Sequence, residues 1–162
     1  MASVKISGMT DVAKQIVALG DAGDAIGKMA VYDGAAVITD ELRKQINALP
    51  EDEFRYLRDG DQFGVITAQD KADLANSLGI AKIERTAQGI RTVIGFAGYG
   101  THPTRKYPKG LPMAMLARSI ESGSSVRAKR PFVRKTVNGK KKMAQAAMIE
   151  TGEKLIKKTL SK

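Results

Sequence analysis

Apolar residues at helical spacing dominate the first third of the chain. Ile26, Ala30, Gly34, Ile38, Leu42, Ile46 and Leu49 recur in i, i+4 and i, i+3 steps, and Pro50 closes the run. The spacing predicts a helix over residues 25–48, roughly 36 Å long at about 1.5 Å per residue. Gly27 and Gly34 lie two turns apart on nearly the same face. Each costs up to about 1 kcal/mol inside a helix. Either another backbone approaches closely there, or small residues are simply tolerated.

The other segments are shorter. Val4 and Ile6 alternate with polar residues in "SVKISG", a short-strand pattern over 3–8. Thr10 is placed to cap a helix carrying Val12, Ile16 and Leu19, with Asp11 in its first turn and Gly20 at its end. Residues 51–69 are polar with scattered aromatics and read as a mobile excursion. "QDKADLANSLGIAKI" reads as a short helix ending at Gly79. Residues 80–86 and 90–97 flank "AQG" as a hairpin. In its second strand Ile90, Thr92, Ile94 and Phe96 share one face, with Arg91, Val93 and Gly95 on the other.

Glycines and prolines fill 98–112, a loop long enough to suggest function or disorder. Pro112 suits the start of a helix bearing Met113, Leu116 and Ile120, ending near Gly123. A terminal helix over 140–162 places Met148, Ile149, Leu155 and Ile156 inward and lysines at its negative pole. Strand, helices, hairpin, helices, with no repeated βαβ pattern, predict one α+β domain over 1–162. A small antiparallel sheet packs on the long N-terminal helix, and a basic helix closes the chain.

Charge is divided unevenly. Residues 1–101 carry 11 bases and 14 acids, a net −3; residues 102–162 carry 16 bases and three acids, a net +13. This implies a molecule with a mildly acidic end and a strongly basic one, suited to stacking on neighbours or to a polyanion, or else simply a solvated surface. The densest basic stretch, "ARSIESGSSVRAKRPFVRKTV", holds Arg118, Arg127, Lys129, Arg130, Arg134 and Lys135 against one acid, Glu121. There is no cysteine, which excludes a disulfide scaffold and thiolate chemistry. No run approaches the roughly 18–20 apolar residues of a membrane span, and the N-terminus lacks a signal-peptide apolar region, so an intracellular origin is expected.

No enzyme constellation emerges. His102 sits in a Gly/Pro-rich loop without an acid partner within it. "GFAGYG" at 95–100 lacks the helix that a dinucleotide fingerprint requires. Ser119, Ser122, Ser124 and Ser125 lack a nucleophile-elbow context. Lys129, Arg130, Arg134, Lys135 and the run Lys140, Lys141 and Lys142 could neutralise phosphates, but no aromatic is interleaved to stack on bases. The reading is therefore no enzyme, no cofactor and no metal.

"IESGSSVRAKRPFVRKTV" resembles the Glu-x-Gly-Thr … Pro-Phe-x-Arg-Pro-Ala signature of the phage tail-component family typified by the gene-ten product of phage HK-ninety-seven. The match falls on Glu121, Gly123, Pro131, Phe132 and Arg134, with Ser124 for threonine and Lys135-Thr136 for Pro-Ala. "YPKGLPMAMLARSIESG" resembles the loop leading into that signature, and "AVYDGAAVITDELRKQI" the family's Ala-rich helix. The resemblance implies a non-enzymatic virion protein at the head–tail joint, a neck or tail-completion ring, six copies by analogy with tail symmetry, assembled in the host cytoplasm. It implies contact with neck, tail-terminator or tail-tube proteins and non-specific contact with genomic DNA, but no membrane. Arg118, Glu121, Arg130, Pro131, Phe132 and Arg134 become candidates for a subunit or neighbour interface. Phe132 would be its apolar anchor, against the alternative of core packing beneath the last helix. Glu121 would satisfy one of the arginines. Arg105, Lys106, Tyr107 and Lys109 become an assembly loop, and Lys140, Lys141 and Lys142 a contact for DNA or an acidic partner. A DNA-binding or packaging accessory protein and a transient tail-assembly factor are the alternatives.

Overall fold

A computed structural model of the chain describes residues 9–52, 66–103, 105–125 and 127–161, with only the backbone of 9–13. The elements are α1 (Met9–Asn47), α2 (Ala68–Ser77), β1 (Leu78–Ile80), β2 (Glu84–Thr86), β3 (Gly89–Arg91), β4 (Ile94–Phe96), α3 (Met113–Ser122) and α4 (Val133–Leu160). The fold is α+β, with antiparallel strand pairs and long N- and C-terminal helices. The expected strand over 3–8 and most of the 51–69 excursion lie outside the described residues.

The stripe on α1 is real, but the helix is longer than its spacing suggested. Gly20 does not end it; one helix of 39 residues, about 58 Å, replaces the expected two. A terminating glycine adopts a positive φ. Gly20 and Gly23 do not, so they stay helical. What carries the backbone through them is a neighbour. α4 runs antiparallel to α1, with Lys140 3.4 Å from Glu41, the Thr151 hydroxyl donating to Asp33 at 2.6 Å, and the Gln15 amide reaching the Leu160 carbonyl at 3.4 Å. At Gly34 the two helices come close. A Cβ there would collide with Met148 and lie 3.1 Å from the Ala144 carbonyl. Of the two glycines, Gly34 therefore meets another backbone, whereas Gly27 meets only the Ile90 side chain of β3.

The hairpin carries a β-bulge. β1 pairs β4 with Gly79 opposite Gly95; β2 pairs β3 with Arg85 opposite Ile90. Between these ladders Lys82 and Ile83 stand opposite Thr92 alone, so the register shifts by one residue. The Thr92 hydroxyl closes the gap by donating to the Ala81 carbonyl at 2.7 Å. The extra residue lies in the first strand, so alternation survives in the second. Ile90, Thr92, Ile94 and Phe96 are half-buried while Arg91 and Val93 are exposed. The helix expected to end at Gly79 ends at Ser77 instead, because Leu78 to Ile80 are taken into the sheet. Thr67 caps α2, its hydroxyl accepting from the Asp70 N–H at 3.2 Å.

The core sits at one end of the long helices. Leu42, Ile46 and Leu49 meet Ile66, Leu74, Leu78, Met113, Leu116, Ile120 and Phe132 there. Ile66 is fully buried and its carbonyl accepts from the Asp52 N–H at 2.8 Å, so both ends of the 51–69 segment are fixed to the core. Beyond Ala35 and Ala144 the two helices continue together as an arm, and no residue of it belongs to the core cluster. Charge follows this layout: α4 carries eight bases and two acids, and it lies lengthwise beside α1, with four bases and six acids. Five of those α4 bases, Arg134, Lys135, Lys140, Lys141 and Lys142, precede Ala144 at the core end, and only Lys154, Lys157 and Lys158 lie in the arm, beside Glu150 and Glu153.

Packing at Gly34 predicts that Gly34→Val lowers stability by about 1–3 kcal/mol through overpacking. Gly20→Ala, which meets open space, raises stability by up to about 1 kcal/mol. Urea denaturation of the two variants checks both signs.

Candidate functional site

The basic stretch folds into a junction between α3 and α4, and the acid in it is the key residue. One Glu121 carboxylate oxygen accepts from the Val133 N–H at 2.8 Å, the other from the Arg134 N–H at 3.1 Å. These are amides of the first turn of α4, which have no partner within their own helix. A carboxylate there also meets the positive end of the helix dipole. Glu121 thus caps α4 from another helix, where an arginine partner had been expected. α4 accordingly begins at Val133, seven residues before the predicted Lys140, and it runs through Asn138-Gly139 without a break.

Two more signature residues serve the same junction. Gly123 ends α3 at φ +77°, and a Cβ on it would sit 3.0 Å from the Lys129 side chain and 3.3 Å from its backbone. Any other residue would strain the turn and push it open. The Arg130 N–H donates to the Ile120 carbonyl at 2.7 Å, and Ser124 and Arg127 exchange backbone bonds at 3.0 and 3.3 Å. Phe132 is 4% exposed and stands edge-to-face with Phe96 of β4, ring centres 6.2 Å apart. It is a core residue, so the proposed role as an exposed anchor is corrected: the ring is occupied within its own chain.

The arginines divide into two groups. Arg127 is buried and paired with Asp70 of α2 at 3.2 Å, tying the junction to the helix below. Sequence reasoning left it among the surface charges because its partner lies 57 residues away. Arg118, Arg130 and Arg134 are exposed, as is Pro131. Arg118, Glu121 and Arg134 line one groove, about 510 Å³, whose floor is apolar and includes Leu42, Phe96 and Val133. Arg130 lies outside it.

The loop over 98–112 is closed at its base. The Gly100 N–H donates to the Leu111 carbonyl at 2.9 Å and the Met113 N–H to the Gly98 carbonyl at 3.1 Å. Gly110, at φ +92°, lies so close to the Gly100 carbonyl that no side chain fits. Asp73 of α2 fastens the near strand, accepting from the Thr101 N–H at 2.7 Å and the Thr101 hydroxyl at 2.9 Å. Burial opposes ionisation of Asp73, but these bonds and the Gln69 amide outweigh it, with His102 adding, and its carboxyl sits below the usual aspartate range. Arg105, Lys106 and Lys109 are exposed at the tip, with Lys106 5.6 Å from the Tyr107 ring centre. The half-buried Tyr107 gives its hydroxyl to Met115 Sδ at 3.2 Å. No sequence signal marked Asp73 as the anchor.

No family model, curated protein or solved structure matches the chain. The junction, the loop and the arm are therefore read on their own physical terms. In α4, Lys140 is half-buried against Glu41, whose carboxyl is held low by the Gln45 amide and by Lys140. Lys141 and Lys142 are exposed and stand in no ion pair among the described residues. Apart from the buried Phe132 and the exposed Arg130 and Pro131 of the junction, the candidate contact residues fall into three separate places: the groove, the loop tip and the flank of α4.

Phe132→Ala is expected to lower monomer stability by about 3–5 kcal/mol, and Glu121→Ala by about 0.5–2 kcal/mol through the lost cap, both measured by urea denaturation. Asp73→Ala tests the loop anchor against pH. A carboxyl lowered in the folded chain contributes above its unfolded pKa and loses that contribution as pH falls through the folded value. The variant is expected to be less stable at pH 7 by about 1 kcal/mol, after allowing for solvent screening. That gap begins to narrow near pH 4 and closes as pH falls through the folded value.

Proposed function

We propose that the chain is a non-enzymatic structural protein of a tailed bacteriophage virion, a ring-forming component of the joint between head and tail. The observation that carries this reading is the arm. Two helices packed mainly on each other, with the β2–β3 hairpin touching α1 at Asp24 and Gly27, cannot cover their apolar side chains. Ile16 is 67% exposed, Tyr32 52% and Ile149 61%, and Val17, Met29 and Met143 are exposed with them. Ile149 had been expected to face inward; a two-helix arm has too little interior to take it. Large apolar side chains left in water over such a length mark a protein–protein contact surface.

A ring joins one face of each copy to a different face of the next. The arm offers apolar flanks and the core end of α4 a basic surface, which together fix register and orientation. The resemblance to the tail-component signature points the same way, and the junction gives its residues physical roles: a cap at Glu121, a tight turn at Gly123, a core plug at Phe132. Lys135 and Thr136, where that family carries Pro-Ala, lie in the first turn of α4, a position that accepts proline. In this reading the chain's partners are further copies of itself, six by analogy, and adjoining neck, tail-terminator or tail-tube proteins. Lys141, Lys142 and the loop-tip bases are left for those neighbours or for DNA.

Native mass spectrometry of the purified chain tests the proposal. Closed oligomers are expected from the wild type. Tyr32→Glu with Ile149→Glu should give monomers with a stability change within about 0.5 kcal/mol per site. Monomers from the wild type at every concentration, or oligomers indifferent to both substitutions, would contradict it.

A further inference from the structure

One edge of β4 is unpaired. Its ladder with β1 is bonded at Gly95 opposite Gly79, flanked by the Ala81 N–H to the Val93 carbonyl at 2.8 Å and the Ala97 N–H to the Ser77 carbonyl at 2.9 Å. Antiparallel bonding alternates along a strand, so Ile94 and Phe96 turn their N–H and C=O groups away from β1. Among the described residues no strand pairs with that side of β4 and no group bonds these four. β4 also forms one wall of the groove described above, with Arg118 on α3 and Arg134 and Val137 on α4 along the other. Both guanidinium groups are exposed and in no ion pair among the described residues. Among the described residues the one acid lining the groove, Glu121, is committed to the α4 amides.

We propose that this groove binds an extended, acidic segment of a partner protein, which adds to β4 as a further strand. An unpaired edge is a template for main-chain pairing, and strand addition draws affinity from those bonds and specificity from alternate side chains. Side chains of an added strand alternate between faces. A segment alternating apolar with acidic residues therefore sets one series on the apolar floor and the other toward Arg118 and Arg134. Nucleic acid fits less well: the outward carbonyls of Ile94 and Phe96 need donors, which a phosphate backbone lacks, and the floor offers it nothing. The inference stands on the sheet edge and the groove, and it does not rest on the virion reading.

The test uses the isolated full-length chain and a fluorescent peptide alternating valine with glutamate. A second peptide carries the same side chains but N-methyl groups on alternate amides, and a third has lysine for glutamate. Fluorescence anisotropy should show saturable binding of the first. Binding should weaken about tenfold or more for the N-methylated peptide, which cannot complete the ladder. The lysine peptide and the Arg118→Gln/Arg134→Gln variant should each show a comparable loss. Amide resonances of Ile94 and Phe96 should shift on titration in the wild type. No saturable binding, equal affinity for the N-methylated peptide, or shifts confined to the arm or loop tip would overturn the proposal. So would a duplex oligonucleotide competing at the same amides. The wild type with the paired peptides keeps the test valid even if the double variant folds poorly.

Discussion

The placement of α4 depends on one carboxylate. A helix entering from an exposed basic loop brings four amides with no internal partner, and here two of them are met by Glu121 at 2.8 and 3.1 Å. That contact fixes where α4 starts, and Phe132, buried against Phe96 one residue earlier, fixes the direction it leaves in. From there the helix lies along α1, where Gly34 leaves room for its Met148 and Ala144. The arm and the groove between β4 and the α3–α4 junction both follow from that start point.

The same geometry explains why so basic a stretch can fold at all. Arg127 is neutralised by Asp70, and backbone bonds hold the turn between Ile120 and Arg130. The remaining arginines face water, where like charges are screened. Positive charge is thereby sorted into a buried structural pair and an exposed, unpaired set, and only the exposed set is available to partners. Apolar surface is sorted in the same way. One end of the molecule buries it around Ile46, Leu116 and Ile120, whereas the arm leaves Ile16, Tyr32 and Ile149 in water.

Periodicity made much of the fold legible. The stripe from Ile26 to Leu49, the alternation from Ile90 to Phe96 and the Met113, Leu116, Ile120 face are local patterns that need no knowledge of the rest of the chain. What escaped was decided by distant partners. Gly20 looked like a stop because a lone glycine weakens a helix, yet α1 runs through it beside α4. The terminal helix was expected only from Lys140, because the cap that starts α4 at Val133 comes from α3. Glu121 was singled out as an arginine partner and Phe132 as an anchor for a neighbour, with core packing as the alternative. They proved to be contacts between elements of the same chain, since a signature in sequence does not say whether its residues face in or out. Asp73 and Asp70 carried no local mark, because their partners lie in loops many residues downstream.

Amide hydrogen exchange at Val133 and Arg134 most directly tests whether Glu121 sets the start of α4. The account predicts that both amides exchange slowly in the folded chain, far more slowly than uncapped first-turn amides open to water. Exchange of both at the rate of exposed loop amides, with the centre of α4 still protected, would show that the cap does not hold in solution and that something else orients the helix.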